Sequence, residues 1–161
     1  MIHNLIRLLI LSTAFFMANA FVYTSCADKI YGAELELTFD PKLPVAGQPI
    51  TLSISSDFNQ EITTKTHIYI KLLEGAYDKE PLEMYKYYQK LCTGNEALCP
   101  ISVGKTIKVT TNLTIPSEIN IDNLIMLTYI GTPRDSDDYV VTLGCSCYSK
   151  YPTYCNNLQH G

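Results

Sequence analysis

Six cysteines are the residues of this chain best equipped for chemistry: Cys26, Cys92, Cys99, Cys145, Cys147 and Cys155. Thiols in this number could be redox centres, metal ligands or structural disulfides, and spacing separates the three. Cys145-Ser146-Cys147 has one intervening residue, which is wrong for a zinc pair, and no His follows until His160. Cys92 and Cys99 bracket the polar loop Thr-Gly-Asn-Glu-Ala-Leu and run directly into Pro100-Ile101. A ring this short closes readily in an oxidising compartment and constrains the unfolded chain by roughly 2.5 kcal/mol. Six thiols allow 15 pairings, and fixing Cys92–Cys99 leaves three. Of these we expect Cys26–Cys145 and Cys147–Cys155. No metal and no cofactor are expected.

Catalytic chemistry has little to work with. His67 alternates with Ile68 and Ile70 and is expected to face solvent, and His160 is the penultimate residue. There is no G-x-S-x-G elbow, no H-E-x-x-H and no phosphate-cradling glycine loop. Oxidised thiols cannot serve as nucleophiles. Asp137-Asp138 lies in a Gly/Pro/Asp-rich stretch that reads as a solvated turn. The expectation is a protein that is not an enzyme.

Residues 1–20 read as a signal peptide: Arg7, an apolar run through Phe15-Phe16-Met17, then Ala18-Asn19-Ala20 as the cleavage site. The mature chain would begin near Phe21, soluble, and either secreted or held in an endomembrane, vacuolar or lysosomal lumen. Removing the signal takes away Arg7 and no acid, leaving 11 basic against 16 acidic residues. That balance and the lack of a basic stripe argue against nucleic acid as a partner and against strong attraction to anionic membranes. Transient membrane contact stays open, and a monomer is expected. About 140 residues suffice for one domain with a real core.

The elements that must position these residues alternate with a period near two. Leu35, Leu37 and Phe39 share a face, as do Ile50, Leu52 and Ile54, and Ile68, Ile70 and Leu72. Residues 107–115 form the longest alternation. Residues 123–130 are almost continuously apolar and read as a central strand, with 139–143 as the last strand. Pro81 to Gln89 reads as a short extra strand leading to the Cys92–Cys99 ring. Turns at 40–47, 57–59 and 131–135 separate the runs. The fold class expected is all-β: an immunoglobulin-like two-sheet sandwich of about seven to eight antiparallel strands, stapled by disulfides. The sandwich would occupy 21–148, with 149–161 as a Cys-containing tail. Asn112-Leu113-Thr114 is a glycosylation sequon on the polar phase of its strand, so Asn112 is expected to point outward, as a glycan requires.

Two stretches carry a resemblance. One is Phe39-Asp40-Pro41-Lys42-Leu43-Pro44-Val45-Ala46-Gly47-Gln48-Pro49, continuing through Ser55. The other is Leu91-Cys92…Cys99-Pro100-Ile101, with Ile115-Pro116-Ser117-Glu118-Ile119 after it. In order and spacing the chain resembles the ML lipid-recognition family, most closely the fungal phosphatidylglycerol/phosphatidylinositol transfer proteins and less so the Niemann–Pick type C sterol carrier. The Cys147…Cys155 tail is an addition to that pattern. The resemblance implies a sandwich whose sheets part to hold a phospholipid or a sterol. Facing sheets normally lie about 10 Å apart, and a small spread opens a dry slot suited to acyl chains. The inward residues expected to line it are Ile54, Ile68, Ile70, Leu72, Ile107, Val109, Leu113, Leu127, Tyr129 and Val141. Phe58 would guard the mouth, and Lys65 or Lys105 would meet a headgroup phosphate. The alternative is an immunoglobulin-like secreted adhesion module with a filled core and no ligand.

Overall fold

A computed structural model describes residues 22–25, 32–76, 79–92, 99–133 and 140–157. The signal segment 1–20, Cys26, the Asp137-Asp138 pair and His160 lie outside the described residues. The strands are β1 (Val22–Ser25), β2 (Ala33–Glu34), β3 (Glu36–Asp40), β4 (Pro49–Asp57), β5 (His67–Ala76), β6 (Lys79–Lys90), β7 (Thr106–Thr114), β8 (Leu124–Pro133) and β9 (Val140–Ser149). A short helix, α1 (Pro152–Asn157), follows.

They form two facing sheets. The larger runs β1-β9-β8-β5-β6, with β2 also on β9, and the smaller runs β3-β4-β7. Pairing is antiparallel except for the two-residue contact of β2 with β9. The alternation read from sequence becomes alternating burial: Leu37 and Phe39 of β3, and Ile50, Leu52 and Ile54 of β4, point inward while their neighbours face solvent. From the larger sheet, Ile68, Ile70, Leu72, Leu124, Met126, Ile130 and Tyr148 meet them in one cluster. Phe39 and Tyr148 join the layers directly, with ring centroids 4.7 Å apart. Each such side chain contributes about 1.5–3 kcal/mol by leaving water.

Two glycines are required by geometry. Gly47 adopts φ +76°, a left-handed conformation that strains other residues, and its amide donates to Ile115 at 2.8 Å. This fixes the Pro44–Gly47 turn against the end of β7. At Gly144 a side chain would run into Leu35 and the carbonyl of Ala33. The close approach lets β2 lie on β9 just before the chain crosses between sheets. Leu35 makes that crossing, and its amide donates to Cys145.

Three elements differ from expectation. β6 is a 12-residue edge strand, not a short lead-in. β9 extends through Ser149 and so carries both Cys145 and Cys147. The tail carries a helix not expected from sequence: the expected Cys147–Cys155 bond closes it, and Cys155 and Tyr154 of α1 pack on Leu73, Ile125 and Leu127 from the outer side of the larger sheet. Cys92–Cys99 is formed, and Cys145 is also disulfide-bonded.

Candidate functional site

Inward-facing residues gather between the sheets. Ile54, Phe58, Ile68, Ile70, Leu72, Ile107 and Leu113 are buried in the inter-sheet cluster. Val109 packs against the same cluster yet stays half-buried. The reason is its place on β7, an edge of the smaller sheet facing β6, an edge of the larger one, with no backbone pairing between them.

Side chains bridge this seam. The Tyr87 hydroxyl donates to the Thr114 carbonyl at 2.8 Å, and Thr111 donates to Gln89 at 2.9 Å. Farther along, Tyr85 donates to the Glu118 carboxylate. Beneath the bridges lies a cavity of about 100 Å³ lined by Ile68, Ile70, Tyr87, Gln89, Thr111 and Leu113, among others. That volume is on the order of three waters and far below the 300–1,000 Å³ of ligand sites. A second cavity, about 580 Å³, opens where the chain crosses from β2 to β3. Its walls are Leu35, Leu37, Ser56, Thr106 and Ser146, with Glu34, Glu36 and Asp57 also contributing. Ser56 donates to the Glu34 carbonyl at 2.6 Å, and Thr106 donates to Asp57.

The Cys92–Cys99 ring sits at the approach to β7. Leu91 donates to Thr66 at 2.9 Å, and Ile101 pairs with Ile62 through two backbone hydrogen bonds. The ring therefore anchors the segment that feeds β7 to the loop between β4 and β5.

Several expected positions fall elsewhere. Leu127 and Tyr129 point to the outer face of the larger sheet, and Val141 is 39% exposed. β8 is apolar on both faces because α1 covers part of its outer side, so sequence periodicity could not fix which face was inner. Tyr129 instead stacks on Tyr69, centroids 4.9 Å apart and planes 7° from parallel. Burial pushes both phenols above their usual range. Beside them Lys71 pairs with Glu83 at 2.8 Å, and that hydrogen bond raises the Lys71 pKa against the opposing effect of burial. Phe58, expected at a mouth, is buried at the Gly144 crossing. Lys65 and Lys105 are exposed in the connecting loops. Asn112 faces solvent, where its side-chain oxygen accepts from Thr51 at 2.9 Å. Tyr85, Tyr87, Gln89 and Thr111 belong to the site but were not foreseen. The Tyr85-x-Tyr87-x-Gln89 alternation was the available signal.

Among the described residues, no cluster of three His, Cys, Asp or Glu side chains could hold a metal ion. No helix among them is long and apolar enough to cross a membrane.

Comparison with known proteins adds three findings. The family model of the ML domain matches residues 20–130. "Putative phosphatidylglycerol/phosphatidylinositol transfer protein 3" of Dictyostelium discoideum is 33% identical over 98 residues, 60% of this chain and 61% of that protein. "Putative phosphatidylglycerol/phosphatidylinositol transfer protein 1" of the same organism is 34% identical over 95 residues, 58% and 59% of the respective chains. The match thus spans about 60% of the length of these curated relatives. The crystal structure of a Niemann-Pick type C2 protein from Japanese carpenter ant superposes with a TM-score of 0.53 at 12% identity, covering 79% of this chain and 96% of that one. At that identity the likeness is one of fold.

Proposed function

The chain belongs to the ML domain family, and from that premise we propose that it is a non-enzymatic carrier that holds a lipid, a phospholipid or a sterol, between its two sheets. The observation carrying this reading is the seam between β6 and β7. Two edge strands face each other without backbone pairing, held by side-chain hydrogen bonds over a small cavity whose floor is Ile68, Ile70 and Leu113 and whose rim is polar. Such a seam can widen without breaking a sheet.

In this reading an acyl chain slides past Tyr87 and Gln89 and lies against Ile68, Ile70, Val109 and Leu113. Burying it releases on the order of 10 kcal/mol gross at about 0.8 per methylene, part of which binding entropy takes back. The headgroup remains at the seam. The far cavity is rimmed by the carboxylates of Glu34, Glu36 and Asp57, which repel a phosphate. Transfer is desolvated carriage with no bond made or broken. The carrier is a secreted or lumenal monomer that touches membranes transiently, with a glycan on Asn112 at the solvent-facing rim of the seam.

The test is organic extraction of purified protein followed by mass spectrometry, with a fluorescent phospholipid and a fluorescent sterol as uptake probes. A stoichiometric lipid in the extract supports the reading. Empty protein that takes up neither probe eliminates it in favour of the adhesion module.

A further inference from the structure

A hydroxyl in the middle of the sandwich has no hydrogen-bond partner among the described residues. Thr128 of β8 is fully buried and its Oγ1 has no hydrogen-bond partner. It shares the inward phase of β8 with Leu124, Met126 and Ile130, all members of the inter-sheet core. Buried hydroxyls are nearly always satisfied, because leaving one unbonded costs free energy comparable to a lost hydrogen bond. Valine would have filled this place without that cost.

The register places the hydroxyl between the two cavities. Thr128 stands directly opposite Ile70 on β5 and opposite Ser146 on β9, and Ile70 stands opposite Tyr87 on β6. Tyr87, Ile70, Thr128 and Ser146 therefore form one transverse row on the inner face of the larger sheet. Tyr87 and Ile70 line the seam cavity, and Ser146 lines the far one. At about 4.8 Å per strand the row spans about 14 Å, and Thr128 sits about 10 Å in from the seam strand.

We infer that Thr128 Oγ1 is the buried hydrogen-bond donor for an oxygen of the lipid held between the sheets, an ester carbonyl or a sterol hydroxyl. The inference rests on the carrier reading and adds a contact to it: an apolar slot grips any chain, while one donor at a fixed depth sets how far the lipid enters. Ser146, next in the row, lines the space the chain continues into.

The test compares Thr128→Val, close in volume, with Thr128→Ser, which keeps the hydroxyl. Delipidated proteins are loaded from vesicles carrying one of four probes: ester-linked phosphatidylcholine, its ether-linked analogue, cholesterol, or cholestane, which lacks the hydroxyl. Thr128→Val should weaken binding of the ester phospholipid, or of cholesterol if the sterol hydroxyl is the acceptor, by about three- to tenfold. It should change the ether analogue and cholestane less than twofold, and its melting temperature without lipid should equal or exceed that of the wild type. Thr128→Ser should stay within twofold of the wild type throughout. Undiminished binding of both oxygen-bearing probes by Thr128→Val overturns the inference, as does an equal loss for all four. Wild-type protein that loads none of the probes ends the carrier reading and this contact together, whereas failure of the valine test alone leaves the carrier reading standing.

Discussion

Tyr87 donates its hydroxyl proton to the backbone carbonyl of Thr114 across 2.8 Å, linking two edge strands that have no backbone pairing with each other. The bond is exposed and belongs to a row with Thr111–Gln89 and Tyr85–Glu118. Single hydrogen bonds of this kind contribute about 0.5–1.5 kcal/mol net, so the row restrains the seam without locking it. The double variant Tyr85→Phe/Tyr87→Phe should accelerate both loading and release of a fluorescent phospholipid by about three- to tenfold. Its equilibrium affinity should shift less than twofold. Stopped-flow transfer from vesicles reads both rates, and unchanged rates would remove the seam from the route.

Val109 faces inward yet remains half-buried beside the seam. Val109→Glu can hydrate its carboxylate when the slot is empty, but must bury it when a chain is bound. Loading should drop at least about tenfold, given the several kcal/mol that an unpaired buried charge costs, while circular dichroism stays native. Normal loading would place the lipid elsewhere.

Two further substitutions separate outer from inner positions. Val141 is exposed, so Val141→Glu should leave loading intact and stability within about 0.5 kcal/mol. Leu72 is fully buried in the inter-sheet core, and Leu72→Ala should cost about 2–5 kcal/mol. Denaturant titration with a parallel loading assay checks both. Loss of loading in Val141→Glu would put a functional surface on the outer face.

Alkaline pH should destabilise the protein through the outer face. Tyr69, Tyr129 and Lys71 all hold raised pKa values when folded, the tyrosines through burial and Lys71 first through Glu83. The folded state thus keeps protons that the unfolded chain gives up. The stabilisation is complete below the ordinary Tyr value of 10.0 and is lost as pH rises through the folded values. Melting temperature should fall as pH rises beyond the ordinary Tyr value, less steeply in Tyr129→Phe. An identical slope in that variant would count against this assignment.

The two described disulfides should separate by function. Opening Cys92–Cys99 with paired Ala substitutions frees the segment feeding β7, and should weaken lipid retention at least as much as it lowers the melting temperature. Opening Cys147–Cys155 removes about 2–3 kcal/mol of constraint on the unfolded chain and loosens α1, with retention unchanged. Off-rates of a fluorescent phospholipid beside calorimetry decide it. Intact retention in the first pair would make that ring a staple only.

Legibility from sequence followed burial on one side. β3, β4 and β7 each have one wetter face, so Leu37, Leu52 and Leu113 were readable by alternation, and in β5 the polar His67 and Lys71 marked the outer phase although Tyr69 and Leu73 beside them are buried. β8 has no fully wet face, and the phase of Leu127 and Tyr129 depended on a helix 25 residues downstream of Leu127 (Pro152) that closes over them. β6 was read as a strand but too short, because two register irregularities near its start interrupt the pairing before the Tyr85-x-Tyr87-x-Gln89 alternation sets in. The cavities lie between strands distant in sequence, where no local pattern reaches.

The crossing at Leu35 gives the sandwich a spine. There a single stretch of backbone leaves the larger sheet at Glu34 and joins the smaller at Glu36, pinned on Cys145, whereas the β6–β7 margin is closed only by side chains. A body joined by backbone at one point and laced by side chains along its opposite margin should gain volume chiefly by opening on the laced side. The displacement at Thr111 would then greatly exceed that at Leu35. Amide exchange should record the same gradient, fastest in β6 and β7 and slowest where β2 rests on β9.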